Sequence, residues 1–166
     1  IRYFRTGDIQ ATMSYSKGIL DGRKALWDES DQLIEEAFYS KGLLEGRYYL
    51  KRANSSEVIS HYKNNQLDGL HQVYYPFHSE FGRVKALEAN FEKGLLEGEL
   101  SQYNEAGTKV LSASYSKGVR NGMMTLYSAE GKVIFTAEFL NDLQDGLTFE
   151  FYPNGQIFKQ AHFVKG

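Results

Sequence analysis

Four histidines, His61, His71, His78 and His162, are the side chains best suited to metal or proton chemistry, and no two of them stand in an H-x-x-x-H arrangement. His61 and His71 flank the connection KNNQLDG, so on adjacent strands two neutral imidazoles can face each other, with His78 and Glu80 as further ligands. Ordinary half-exposed strand residues are the simpler reading, and it is the one we adopt. The recurring YSKG places a Ser beside a Lys, but recurrence at turn positions points to turn geometry rather than a nucleophilic dyad. Adjacent acids at Glu35 and Glu36, or at Glu29 and Asp31, belong to a solvated strand and turn and define no glycosidase-type pair. There is no G-x-S-x-G, and strands separate the glycines, so no phosphate-cradling loop forms at a helix start. With no cysteine there is no thiolate zinc site and no cysteine nucleophile. The expectation is therefore a protein that is not an enzyme and needs no cofactor.

The elements that carry these residues follow from composition and period. The chain has 166 residues, 42% hydrophobic and 24% charged, with 16 Gly, 12 Tyr and 11 Phe against 2 Pro. Glycine and aromatic excess without proline indicates many short strands joined by tight turns. A formal charge of −2 gives no positive excess to neutralise phosphates, so nucleic acid is not expected as a partner and membrane association is disfavoured. No apolar run approaches the roughly 18 residues of a spanning helix. Ile1 in place of Met leads to the expectation that a signal peptide or upstream domain has been removed, which leaves the compartment open between cytoplasm and an exported location.

One phrase recurs along the chain: YSKGILDG from Tyr15, YSKGLLEG from Tyr39, YKNNQLDG from Tyr62, FEKGLLEG from Phe91, YSKGVRNG from Tyr115 and FLNDLQDG from Phe139, with a partial seventh from Phe163. The steps between aromatic starts are 24, 23, 29, 24, 24 and 24 residues. Each phrase ends in a glycine, Gly22, Gly46, Gly69, Gly98, Gly122 and Gly146, usually after Asp, Asn or Glu, which predicts a turn needing positive φ. A second turn is expected eight residues before each aromatic, at Gly7, Asp31, Asn54, Gly107, Gly131 and Gly155, with Gly82 one residue out of step. Each unit then reads as one β-hairpin. Strand B carries a column at Met13, Ala37, Ser60, Ala89, Ala113, Ala137 and Ala161, small in all but the first, on the same face as the aromatic two residues on. Strand A carries an aromatic column at Trp27, Tyr74, Tyr103, Tyr127 and Phe151, with Lys51 as the exception.

Helix formers are abundant in SDQLIEEAFYSKGLLEG and RVKALEANFEKGLLEGEL, but the same phrase follows VLSAS and VIFTAE elsewhere, and a stacked array cannot mix helix and strand copies. The fold class is thus all-β: an elongated, twisted antiparallel meander of hairpin repeats, about six units of 24 residues, filling residues 1–166 as a single array. About 13 strands at about 4.8 Å each give a sheet on the order of 60 Å long. Surface rather than pocket is its working part. Aromatics outside the repeat columns, Tyr48, Tyr49, Tyr75, Phe77, Phe81 and Phe149, together with His78, are the candidate partner-binding residues, since Tyr and other aromatics anchor interfaces. The third unit has five extra residues in PFHSEFG, Pro76 to Gly82, which must protrude from a hairpin tip.

This pattern, an aromatic, a Lys-Gly or Asn-Asp turn, three residues, a glycine, then an aromatic-rich strand, resembles the MORN repeat, and most closely its bacterial variant. The Tyr-Glu-Gly-Glu start of eukaryotic copies is missing, so their lipid and kinase associations transfer poorly. Asn65 and Asp142 replace the Gly of the turn phrase. The resemblance implies scaffolding and partner binding, and in the bacterial variant an immunity or antitoxin protein that neutralises a toxin or effector by docking along its sheet. A structural or cell-envelope scaffold, a spacer module of a larger protein, is the alternative. Open strand edges at both ends invite end-to-end pairing, so a homodimer is a further expectation, to be read by light scattering.

Overall fold

A computed structural model describes all residues, 1–166. The chain forms one open antiparallel sheet with no helix. Its strands are β1 (Arg2–Tyr3), β2 (Ile9–Ser16), β3 (Ile19–Trp27), β4 (Leu33–Ser40), β5 (Leu43–Lys51), β6 (Glu57–Lys63), β7 (Gln66–Leu67), β8 (Gly69–Tyr74), β9 (Lys85–Glu92), β10 (Leu95–Leu96), β11 (Gly98–Tyr103), β12 (Lys109–Ser116), β13 (Val119–Tyr127), β14 (Val133–Leu140), β15 (Leu143–Phe151) and β16 (Ile157–Phe163). Each main strand pairs only with its neighbours in sequence, and the two-residue pieces β7 and β10 pair with β6 and β9. The helix-rich stretches are strands β4 and β9, as the repeat required.

The tight turns are the Lys-Gly pairs. Lys17 and Gly18 both have positive φ, 50° and 79°, and close a two-residue hairpin between Ser16 and Ile19. That geometry is the type I′ turn, whose twist matches the flanking strands. Lys41–Gly42, Asn64–Asn65, Lys93–Gly94, Lys117–Gly118 and Asn141–Asp142 repeat it. Asn and Asp tolerate the left-handed region and so stand in for Gly at the second position. There they also cap: the Asn65 carboxamide accepts Leu44 N–H at 2.6 Å and the Asp142 carboxylate accepts Arg120 N–H at 2.8 Å, each from the preceding unit.

Gly22, Gly46, Gly69, Gly98, Gly122 and Gly146 have the positive φ expected of them, from 81° to 120°, but they do not form turns. They sit in or at the start of strands, where the ladder bulges. Opposite the single residue Ser114, between the pairs Ala113↔Met124 and Tyr115↔Arg120, stand three residues, Asn121, Gly122 and Met123. The same irregularity recurs at Met13/Tyr15, Ala37/Tyr39 and Ala137/Phe139, and it separates β7 from β8 and β10 from β11. Turns and bulges ask the same thing of a backbone, a residue free at positive φ, and sequence chemistry does not separate them.

The acid before the bulge glycine works between units. Glu45 accepts Asn64 N–H at 2.9 Å, Asp68 accepts Lys93 N–H at 3.2 Å and Glu97 accepts Lys117 N–H at 2.7 Å, each capping the turn of the following hairpin. Charge-assisted bonds of this kind exceed neutral ones, though exposure to water reduces the gain. Glu97→Ala is expected to cost about 0.5 to 1.5 kcal/mol, read by urea unfolding, with Glu97→Gln recovering part of it.

The second set of turns shows where the 23-residue step comes from. Positive φ falls on Ser55, 24 residues after Asp31, and not on Asn54 as expected; Asn54 instead accepts Ser56 N–H through its side chain. Every other full hairpin tip carries one extra residue on its returning strand, such as Ile34 between the pairs Leu26↔Glu35 and Trp27↔Leu33. Between β5 and β6 the register runs straight from Leu50↔Val58 to Lys51↔Glu57. The missing residue is the bulge.

Pairing sorts the side chains into two faces. On the first lie the small column and the repeat aromatics, with Ala37, Ser60, Ala89, Ala113 and Ala137 all buried. No second layer covers them. Long side chains two residues after several of the bulge glycines do so from the adjacent strands: Lys24 and Tyr48 beside Ala37, Tyr48 beside Ser60, Leu100 and Met124 beside Ala113. The strand A aromatics lie on the opposite face, since Trp27 shares its side with Ala25 and Arg23. The two aromatic columns thus divide between the two faces of the sheet. Only 11 of 166 residues are buried, so most apolar side chains of this sheet remain half in water.

Candidate functional site

Five extra residues extend the hairpin between β8 and β9 into a built projection over residues 75–84. Tyr75 N–H donates to Val84 O at 3.0 Å, and His78 and Gly82 exchange two backbone bonds of 3.1 and 2.7 Å. The Tyr75 hydroxyl donates to the carbonyl of Tyr103 at 2.8 Å, tying the projection to the next unit. His78 stacks on Phe81 with ring centroids 5.1 Å apart. Phe77 remains 76% exposed and Phe81 46%.

A groove runs on each side of the projection. The larger, about 420 Å³, lies toward the tip of the preceding hairpin and is lined by Lys51, Asn54, Ser55, Glu57, Tyr75, Pro76, Phe77 and Arg83. The smaller, about 120 Å³, is lined by Tyr75, Pro76, Phe77, His78, Val84 and Glu105. Below the larger groove a polar network crosses the second face. Arg83 binds the Glu57 carboxylate at 2.7 Å and lies 3.9 Å above the Tyr74 ring. The other Glu57 oxygen accepts the Tyr49 hydroxyl at 3.0 Å. Burial, followed by that bond to Glu57, pushes the Tyr49 phenol up to about 12. Arg23 and Arg47 share Glu36 at 2.7 Å each, and Lys51 reaches the Gln32 side-chain oxygen at 2.6 Å.

The candidate binding residues divide accordingly. Tyr75, Phe77, His78 and Phe81 meet in the projection, and Tyr49 lies near it on the second face. Tyr48 lies on the first face, where it covers Ala37 and Ser60 and meets Tyr62 edge to face at 5.8 Å. Its position is two residues after Gly46, the covering slot that Lys24, Leu100 and Met124 fill in other units, so the fold accounts for it. Phe149 is on β15, remote in strand order, and packs against Phe151 with centroids 6.2 Å apart. Tyr49 has a structural role as well: it stands two residues before Lys51 on the same face and supplies the ring that this unit's aromatic column lacks. Lys51, Glu57 and Arg83 escaped the sequence reading, although the departure of Lys51 from the aromatic column and the 23-residue step both mark the spot.

The histidines do not meet as the metal reading would need. His61 falls on the second face, with Nδ1 3.2 Å from Leu70 O, whereas His71 is on the first, 2.8 Å from the Ser60 hydroxyl and edge to face with Phe91 at 5.8 Å. The adjacent acids are likewise split: Glu35 pairs with Lys24 at 2.8 Å on the first face, and Glu36 with its arginines on the second. Burial, and then the positive charge of Arg52, hold the His71 imidazole below its ordinary value. The unfolded chain thus takes up the proton first as pH falls. Stability from neutral His71 is present above the unfolded value of about 6.5 and is lost as pH drops through the lower folded value. Urea midpoints measured from pH 8 to 5 should fall over that window, and less so in His71→Gln.

Compared with known proteins, residues 144–165 match the family model described as MORN repeat variant. That segment spans most of β15, the last hairpin tip and β16, which is the strand, turn and bulge pattern repeated in the other units. The chain is thus a repeat array carrying a MORN-type unit. No curated protein matches it. Among solved structures, a mutant of S. aureus TarM in complex with Fondaparinux, alpha-GlcNAc-glycerol and UDP is similar at 12% identity and a TM-score of 0.21, over 90% of this chain and 21% of that one. A second structure of TarM gives 12% identity and a TM-score of 0.20 over the same shares. The chain spans about a fifth of the length of those proteins, and likeness at that level carries no argument.

Proposed function

We propose that this array is a non-enzymatic module that binds a partner protein, and that the partner is a toxin or effector held inactive by occlusion. A single-layer sheet that buries 11 of its 166 residues and lifts a fixed aromatic projection clear of its surface is the observation that carries this reading. Large exposed apolar groups on a rigid frame are what interfaces use as anchors. The non-enzymatic part is supported by the pairing of Glu35 and Glu36 with cations and by the separation of His61 from His71. The toxin-neutralising part rests on the resemblance to the bacterial variant.

The immobilised chain should retain one protein from its native host in near-stoichiometric amount, and co-expression should relieve growth inhibition caused by that protein. Retention of a protein that is harmless when expressed alone would remove the toxin reading and leave the binding reading. No retained protein would contradict both.

A further inference from the structure

We propose that the projection at residues 75–84 is a docking head for a partner protein that presents carboxylates beside an apolar cleft, with Phe77 seated in the cleft and the carboxylates meeting Lys51 and Arg83. This rests on the protein-binding reading and adds to it a place and a partner chemistry. The projection is specific to one unit, since it contains the whole of the five-residue excess in the 29-residue step. It is also held in place before any partner arrives: Pro76 restricts the backbone, Tyr75 is tied to Tyr103, and His78 is both stacked on Phe81 and paired with Gly82. An exposed aromatic on a fixed frame loses little entropy on docking, which is the condition under which its burial strengthens binding.

Charge selects the partner. The polar network below the projection gathers four cations, Arg23, Arg47, Lys51 and Arg83, and two carboxylates, Glu36 and Glu57. The local balance is 4 − 2 = +2, in a chain of net −2. Lys51 has a neutral partner, the Gln32 side-chain oxygen, and is thus available to an incoming anion. A partner acidic at this spot gains both steering and orientation. Glu105 lines the groove on the other side of Phe77, so the partner's acidic groups must lie toward β5 and β6.

Nucleic acid fits poorly, because Glu105 lies beside the exposed Phe77 ring and would repel phosphates, and the chain as a whole carries a net charge of −2. An anionic membrane fits poorly because Glu105 lies beside Phe77 and Glu80 is part of the same projection, so both carboxylates would be brought to the headgroups.

The test is selection of random-sequence displayed peptides on the intact chain, with Kd values then measured for the chain and its variants. Selected peptides should carry Asp or Glu next to large apolar residues. Their affinity should fall at least tenfold in Phe77→Ala and in Lys51→Glu, and stay unchanged in Phe158→Ala, an exposed ring on β16. Thermal melts of Phe77→Ala should match those of the parent chain, since Phe77 is mostly in water. Acid-free peptides, or peptides whose binding ignores Phe77, overturn the docking head while leaving a protein-binding module elsewhere on the sheet. Failure to select any peptide, together with retention on phosphatidylserine vesicles, overturns both.

Discussion

Gly122→Ala is expected to lose about 3 kcal/mol of stability, whereas Gly98→Ala, in the same column, loses about 1 kcal/mol. Both glycines sit at a bulge with positive φ, but they are not equivalent. Gly98 has φ 81° with nothing within 4 Å of where a Cβ would stand, so alanine meets only backbone strain. Gly122 has φ 116°, beyond the left-handed helical region, and its added Cβ would stand 3.0 Å from the Cβ of Ser114 across the bulge. Neither atom is the end of a flexible side chain, so the ladder itself must shift. Because each unit touches only its neighbours, the damage should be local. Amide exchange should show residues 119–127 losing protection first in Gly122→Ala. Equal losses for the two variants would contradict the different φ and the different room for a Cβ at these two bulges.

Ala113→Leu is expected to cost about 1 to 3 kcal/mol, although alanine is a poor strand former and leucine adds apolar volume. Ala113 is 3% exposed on a sheet with no second layer, buried by Leu100 and Met124 lying across it from either side. A larger side chain there must push those covers into water. The same change at Met13, which is already large and exposed at the end of the column, should be nearly neutral. Urea unfolding of both variants decides the matter: an Ala113→Leu chain as stable as the parent would mean that the small column is not what the covering side chains pack against.

These two expectations also show which part of the structure was legible in the amino-acid sequence. The 24-residue period, the hairpin unit and the small column follow from repetition, because stacking forces equivalent positions into equivalent environments. Gly22 and its equivalents were legible as positive-φ positions but not as bulges. The distinction lies in how many residues oppose Ser114 on the neighbouring strand, a property of pairing and not of composition. Tyr48 looked free because no other unit has an aromatic there, yet its slot is the one that covers the small column, and Lys24, Leu100 and Met124 do the same in other units. The projection was legible as an insertion after Tyr75. Its groove was not, since Lys51, Glu57 and Arg83 come from three different segments that only the register brings together.

The most direct measurement of the central claim, that this array works by holding a protein at its projection, is amide hydrogen exchange with and without the protein that the intact chain retains. The account predicts added protection at residues 75–84 and along the facing tip at 52–57, with the distant hairpin at 119–140 unchanged. Protection confined to the ends of the sheet, or none at residues 75–84, would contradict it.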